Sequence, residues 1–125
     1  MRKLLYFRLG PDIPGDPSKL APFLAKGGKL LIYYGYDDFI ISSHRAIWFY
    51  EDLGEQTGRF DKLHGQARLF MVSGRLHCHD GPGPDTFDTL SALENWVEKG
   101  RAPDGIVASR ATGRVVDRND ATERS

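Results

Sequence analysis

The chain has 125 residues, 17 basic and 17 acidic, with 40% hydrophobic and 27% charged side chains. At this length the chain is one domain or part of one. A domain of this size buries about two-thirds of its unfolded surface, enough for an independent core if the fold is complete. The balanced charge gives no electrostatic footprint for nucleic acid or an anionic membrane, and no apolar run is long enough to span a bilayer.

Taken in chain order, Met1-Arg2-Lys3 precedes a short apolar patch that Arg8 and Pro11 interrupt. It is too short for the core of a signal peptide, and no small-x-small cleavage site follows, so no export signal is expected. Residues 4–9 have strand length. Residues 10–17 hold three prolines and two glycines and read as loop. Ser18 is placed to cap a helix over residues 20–26, with Gly27-Gly28 ending it. Residues 29–34, Lys-Leu-Leu-Ile-Tyr-Tyr, lack alternation, the pattern of a strand buried on both faces. Gly35-Tyr36-Asp37-Asp38 is its exit loop.

Ser42 or Ser43 then caps a helix over residues 44–53. Its face is Ala46, Ile47, Phe49, Tyr50 and Leu53, and Gly54 is the natural residue to end it. A polar stretch leads to a second buried strand, residues 67–72. The turn after it holds Ser73-Gly74-Arg75-Leu76-His77-Cys78-His79-Asp80-Gly81-Pro82-Gly83-Pro84. Asp85 is placed to cap a final helix over residues 86–99, with Leu90, Leu93, Trp96 and Val97 on its face. Residues 106–109 and 113–116 have the spacing of a small terminal hairpin, and residues 117–125 form a polar tail.

Two buried strands joined through a helix make a βαβ unit, so the strands should be parallel. Both exit loops then lie at one edge of the sheet. Asp38 and His77 can meet there, as an acid that orients a histidine base and fixes its tautomer. Spacing alone leaves alternatives open. Asp37-Asp38 is also ideal turn composition, and the run from His77 to Asp80 contains imidazole, thiolate and carboxylate donors of the kind zinc uses. Four consecutive donors rarely wrap one tetrahedral ion, and no Cys-x-x-Cys or His-x-x-x-His completes a set, so no metal is expected. No Gly-x-Ser-x-Gly elbow occurs, so no nucleophile is expected in this chain. Trp48, Trp96, Tyr33 and Tyr34 read as core or rim residues. The lone cysteine, Cys78, allows no disulfide within the chain.

Four separated motifs carry a family likeness: residues 27–38 (GGKLLIYYGYDD), 69–78 (LFMVSGRLHC), 81–88 (GPGPDTFD) and 95–110 (NWVEKGRAPDGIVASR). In this order, from about Asp16 to Arg110, they resemble the carboxy-terminal part of the tannase and feruloyl esterase family. The resemblance implies the last part of an α/β-hydrolase fold: a βαβ unit plus a final helix, on an incomplete sheet. It divides the chain into residues 1–15, an amino-terminal strand and loop; 16–110, the hydrolase segment; and 111–125, a tail.

The family is similar in activity to other serine esterases, hydrolysing esters of aromatic acids such as galloyl, feruloyl and terephthalate monoesters. Its triad runs Ser, Asp, His along the chain, and a disulfide joins cysteines flanking the Ser and the His. The resemblance thus implies Asp38 as acid, His77 as base and Cys78 as the histidine-side half of that disulfide. The nucleophile, the oxyanion hole and the calcium-binding lid of the family lie upstream of the matching segment, so no cofactor is expected here. It further implies an aromatic-acid ester as substrate of the complete enzyme, an upstream fragment as partner, and export, which is usual for complete members. Phe39 stands where the family usually has proline, and Arg75-Leu76 and His79-Asp80 replace smaller residues. Those departures motivate the alternative of a decayed or complementing, non-catalytic binding subunit.

Overall fold

A computed structural model of the chain describes residues 17–58, 60–77 and 80–110. The expectations for residues 4–9, 113–116 and 117–125, and for Cys78, lie outside the described residues.

The chain enters through a 3-10 turn, Pro17–Lys19, and a short helix α1, Ala21–Ala25. Leu20, not Ser18, occupies the capping position, and no side chain caps there. Pro22 falls in the first turn, where its missing N–H costs nothing. The helix ends where Gly27 adopts φ +81° and its N–H donates to the Leu24 carbonyl at 2.9 Å.

Strand β1 spans Leu30–Gly35 and strand β2 spans Ala67–Val72. They pair parallel, in a register running from Leu30 opposite Ala67 to Gly35 opposite Val72. Leu30 and Ile32 face one cluster with Leu24, Leu53, Leu63 and Ala67. Leu31 faces the other way, against Leu93 and Trp96. A strand covered on both sides has no polar face to show, which is why residues 30–32 read as unbroken apolar sequence. Fully burying a leucine is worth about 1.5–3 kcal/mol, so these two clusters anchor the strand from opposite sides.

The crossover between the strands holds two helices. Helix α2 spans His44–Thr57 and helix α3 spans Phe60–His64. The expected end at Gly54 is a correction: α2 runs one turn further and stops at Gly58, φ +85°, whose N–H reaches the Gly54 and Glu55 carbonyls. Gly54 lies buried inside the helix because Phe60 packs over it; a Cβ there would come 2.8 Å from the Phe60 ring. Ser43 holds the capping position of α2 without a side-chain capping bond. Ala46 and Leu53 are buried on the expected face, whereas Trp48 is exposed, with its ring beside that of His44.

After the glycine-proline turn, strand β3, Thr86–Phe87, pairs antiparallel with strand β4, Ala108–Ser109. Helix α4 spans Thr89–Lys99. This corrects two expectations. Asp88, not Asp85, caps the helix, accepting from the Ser91 N–H at 2.9 Å. Residues 86–87 are extended because Ser109 and Ala108 pair with them, and the Asp85 N–H joins the ladder at the Ser109 carbonyl, 3.1 Å away. On α4, Leu93 and Trp96 are buried and Leu90 is half exposed. Among the described residues no helix is long and apolar enough to cross a membrane. The two-stranded parallel sheet carries helices on both faces, the α/β layering expected from the sequence.

Candidate active site

Past Gly35 and Val72 the two strands end, and their exit loops run side by side. The Tyr36 N–H donates to the Val72 carbonyl at 2.9 Å, and the Asp37 N–H to the Arg75 carbonyl at 3.2 Å. Gly35 has no side chain at the point of closest approach: a Cβ there would lie 2.5 Å from the Leu76 carbonyl oxygen and 2.6 Å from that of Arg75. The parallel register and this backbone contact bring together two residues 39 positions apart. His77 Nδ1 lies 2.8 Å from Asp38 Oδ2.

Asp38 is surrounded by donors. Oδ1 accepts from the Ile40 N–H at 2.9 Å and the Ile41 N–H at 3.0 Å, and Oδ2 accepts from the Tyr34 hydroxyl at 2.9 Å as well as facing His77. Four donors match the four lone-pair positions of an ionised carboxylate. Only 2% of the Asp38 side chain is exposed, against 26% of His77. Burial by itself would push the Asp38 carboxyl up. The bonds from Ile41, His77, Ile40 and Tyr34 outweigh it and hold the carboxyl below the ordinary aspartate value. At neutral pH Asp38 is therefore ionised and can only accept, so the hydrogen between the two residues sits on His77 Nδ1. In the neutral ring Nε2 is then the basic nitrogen. An imidazole held in that tautomer by a buried carboxylate can take a proton from a hydroxyl and return it to a leaving group.

The His77 loop is itself braced. Gly74 adopts φ +74°, and its carbonyl accepts from the Gly83 N–H at 2.8 Å. The Leu76 N–H donates to the Asp80 carbonyl at 3.1 Å across the tip. The turn position of Asp38 and its contact with His77 coexist, since Oδ1 takes the two backbone bonds that close the 39–41 turn while Oδ2 faces the ring. Of the zinc-type donors at 77–80, Cys78 and His79 lie outside the described residues. Tyr34, read from sequence as core or rim, points its hydroxyl at Asp38; its place four residues before the acid, at a strand end, was the available signal. Asp37, read only as turn composition, accepts from the Gly74 N–H at 2.5 Å. A separate cavity of about 210 Å³ lies among Tyr33, Phe70, Met71, Phe87 and Ile106, and neither Asp38 nor His77 lines it.

The family described as tannase and feruloyl esterase matches residues 9–123. The mono(2-hydroxyethyl) terephthalate hydrolase of Piscinibacter sakaiensis is 44% identical over 95 residues, covering 76% of this chain and 15% of that protein. A probable feruloyl esterase B-1 of Aspergillus oryzae is 34% identical over 113 residues, covering 78% of this chain and 21% of that protein. Among solved structures, feruloyl esterase B from Aspergillus oryzae superposes with a TM-score of 0.64 at 33% identity, over 70% of this chain and 20% of that one. A second esterase from the same organism gives 0.69 at 31% identity, over 77% and 22%. The chain thus spans about a fifth of the length of these relatives.

Proposed function

Since the chain belongs to the tannase and feruloyl esterase family of carboxylic ester hydrolases, we propose that Asp38 and His77 are the acid and base of a Ser-Asp-His triad acting on aromatic-acid esters. The observation that carries this reading is the 2.8 Å contact between His77 Nδ1 and the buried Asp38 carboxylate. The serine comes from polypeptide outside these 125 residues, so the chain contributes the acid–base half of the site. His77 Nε2 takes the serine proton as the hydroxyl attacks the ester carbonyl, and a tetrahedral intermediate forms. The imidazolium then protonates the departing alcohol, leaving an acyl-enzyme. Water repeats the sequence and releases the acid. Through both halves Asp38 stabilises the imidazolium and keeps the ring in place. An aromatic acyl group is supported by the substrates named for the relatives, a terephthalate monoester and feruloyl esters.

The test is complementation. The 125-residue chain is co-expressed with an upstream polypeptide of the family bearing the serine, and hydrolysis of methyl ferulate, methyl gallate and a terephthalate monoester is measured. Activity is expected in the pair and absent from the chain alone. Asp38→Asn should lower kcat by about 10⁴-fold, because an amide presents N–H to Nδ1 and favours the wrong tautomer. Serine-dependent turnover by the chain alone would overturn the reading, as would a restored activity indifferent to His77→Ala.

A further inference from the structure

Asp38 can hold His77 only if two separate loops keep their relative position after both strands have ended. The ladder stops at Gly35 and Val72. Beyond it the Tyr36 and Asp37 N–H groups donate across to the Val72 and Arg75 carbonyls, at 2.9 Å and 3.2 Å. Those are main-chain bonds that any residue could make. The third link is a side chain: the Gly74 N–H donates to Asp37 Oδ2 at 2.5 Å. We propose that Asp37 is a positioning residue, its carboxylate clamping the start of the His77 loop onto the loop that carries Asp38. The inference rests on the reading of Asp38 and His77 as the acid–base pair and deepens it.

Three features make this clamp effective. Asp37 directly precedes Asp38, so the clamp and the acid share one short piece of backbone. Gly74 lies three residues before His77 and adopts φ +74°, and space around it is closed, since a Cβ would come 2.7 Å from the Gly83 nitrogen. Its neighbouring peptide groups are engaged on both sides, the N–H by Asp37 and the carbonyl by Gly83. The turn that presents His77 is therefore fixed at its root from two directions. A bond from an N–H to an ionised carboxylate is also among the stronger hydrogen bonds available to a loop. The two consecutive aspartates divide the work: Asp38 addresses the ring, and Asp37 addresses the backbone that carries it.

The test reads the His77 ring by ¹⁵N–¹H long-range correlation in the full 125-residue chain. Wild type should show one dominant tautomer, protonated at Nδ1. Asp37→Ala should give mixed tautomers and an Nδ1–H that exchanges with water at least about tenfold faster, as expected for losing a bond to a charged acceptor. Asp37→Asn keeps an oxygen for the Gly74 N–H and should restore the wild-type pattern. Asp88→Ala, which removes the α4 cap, should lower Tm and leave the His77 signals alone, separating general destabilisation from release of the loop. A wild-type ring pattern in Asp37→Ala would overturn the inference. So would Asp37→Asn as disturbed as the alanine variant, or Asp88→Ala shifting the ring equally. A wild-type ring that averages freely would instead overturn the underlying acid–base reading.

Discussion

Gly35→Ala tests whether backbone proximity, and not side-chain chemistry alone, assembles the Asp38–His77 pair. Gly35 is the last residue of β1, and its φ is not in the left-handed region, so alanine carries no conformational penalty there. The cost comes from approach. The added Cβ would lie 2.5 Å from the Leu76 carbonyl oxygen and 2.6 Å from that of Arg75, where real contacts stay beyond 3.0 Å. Both are main-chain atoms and cannot swing aside, so the His77 loop must retreat by at least about 0.5 Å to reach even the shortest tolerated contact. The Asp37–Arg75 bond, already 3.2 Å, would break. The 2.8 Å contact between His77 and Asp38 would stretch to about 3.3 Å, outside the good range for N–H···O. A hydrogen bond to a charged group is worth about 1.5–3 kcal/mol, so the paired ring should lose about 10- to 100-fold in population. In the complemented enzyme kcat for methyl ferulate should fall by about 10²-fold, the scale expected for a small misplacement of a catalytic group. In the chain alone the Nδ1–H signature of His77 should weaken. An unchanged ring signature together with an unchanged Tm would refute the reasoning.

Two further outcomes follow from the same geometry. The Asp38 carboxyl is held below its ordinary value in the folded chain, so the stability it contributes is complete above about pH 4 and is lost as pH falls through the lowered folded value. Urea unfolding between pH 2 and 5 should show a steeper loss for wild type than for Asp38→Asn, and equal slopes would contradict it. Tyr50→Phe removes the hydroxyl that donates to the Ala67 carbonyl at 2.9 Å, and should cost about 1 kcal/mol, read as a lower urea midpoint at constant m with His77 unmoved.

What could be read in the sequence depended on whether the cause was local. Leu30, Leu31 and Ile32 announce a strand covered on both faces because Leu30 and Ile32 are buried by one layer and Leu31 by the other. The meeting of Asp38 and His77 follows from the same pattern, since parallel strands must deliver their exit loops to one edge. The start of α4 is not decided locally, because Asp85 and Asp88 are equally good caps by residue type. The choice is made by Ala108 and Ser109, whose pairing keeps Thr86 and Phe87 extended. Gly54 shows the same dependence on tertiary context: a glycine near the end of a periodic run signals termination, but here it makes room for Phe60. The hydrogen bonds of Tyr34 and Asp37 run across a turn and between loops, which composition does not encode.

The parallel register has a bearing on how such a site tolerates change in the chain between its members. The route from Asp38 to His77 along the backbone passes through α2 and α3, but the route that sets their separation runs through one pair of strands and a few bonds. Residues can be added to or removed from the surface turns of the crossover without altering the spacing of the pair. A slip of the strands is a different matter, because register moves only in whole residues. One step would carry Asp38 about 3.3 Å along the sheet and turn every side chain of β1 to the opposite face. Length variation is thus absorbed at one place and forbidden at the other.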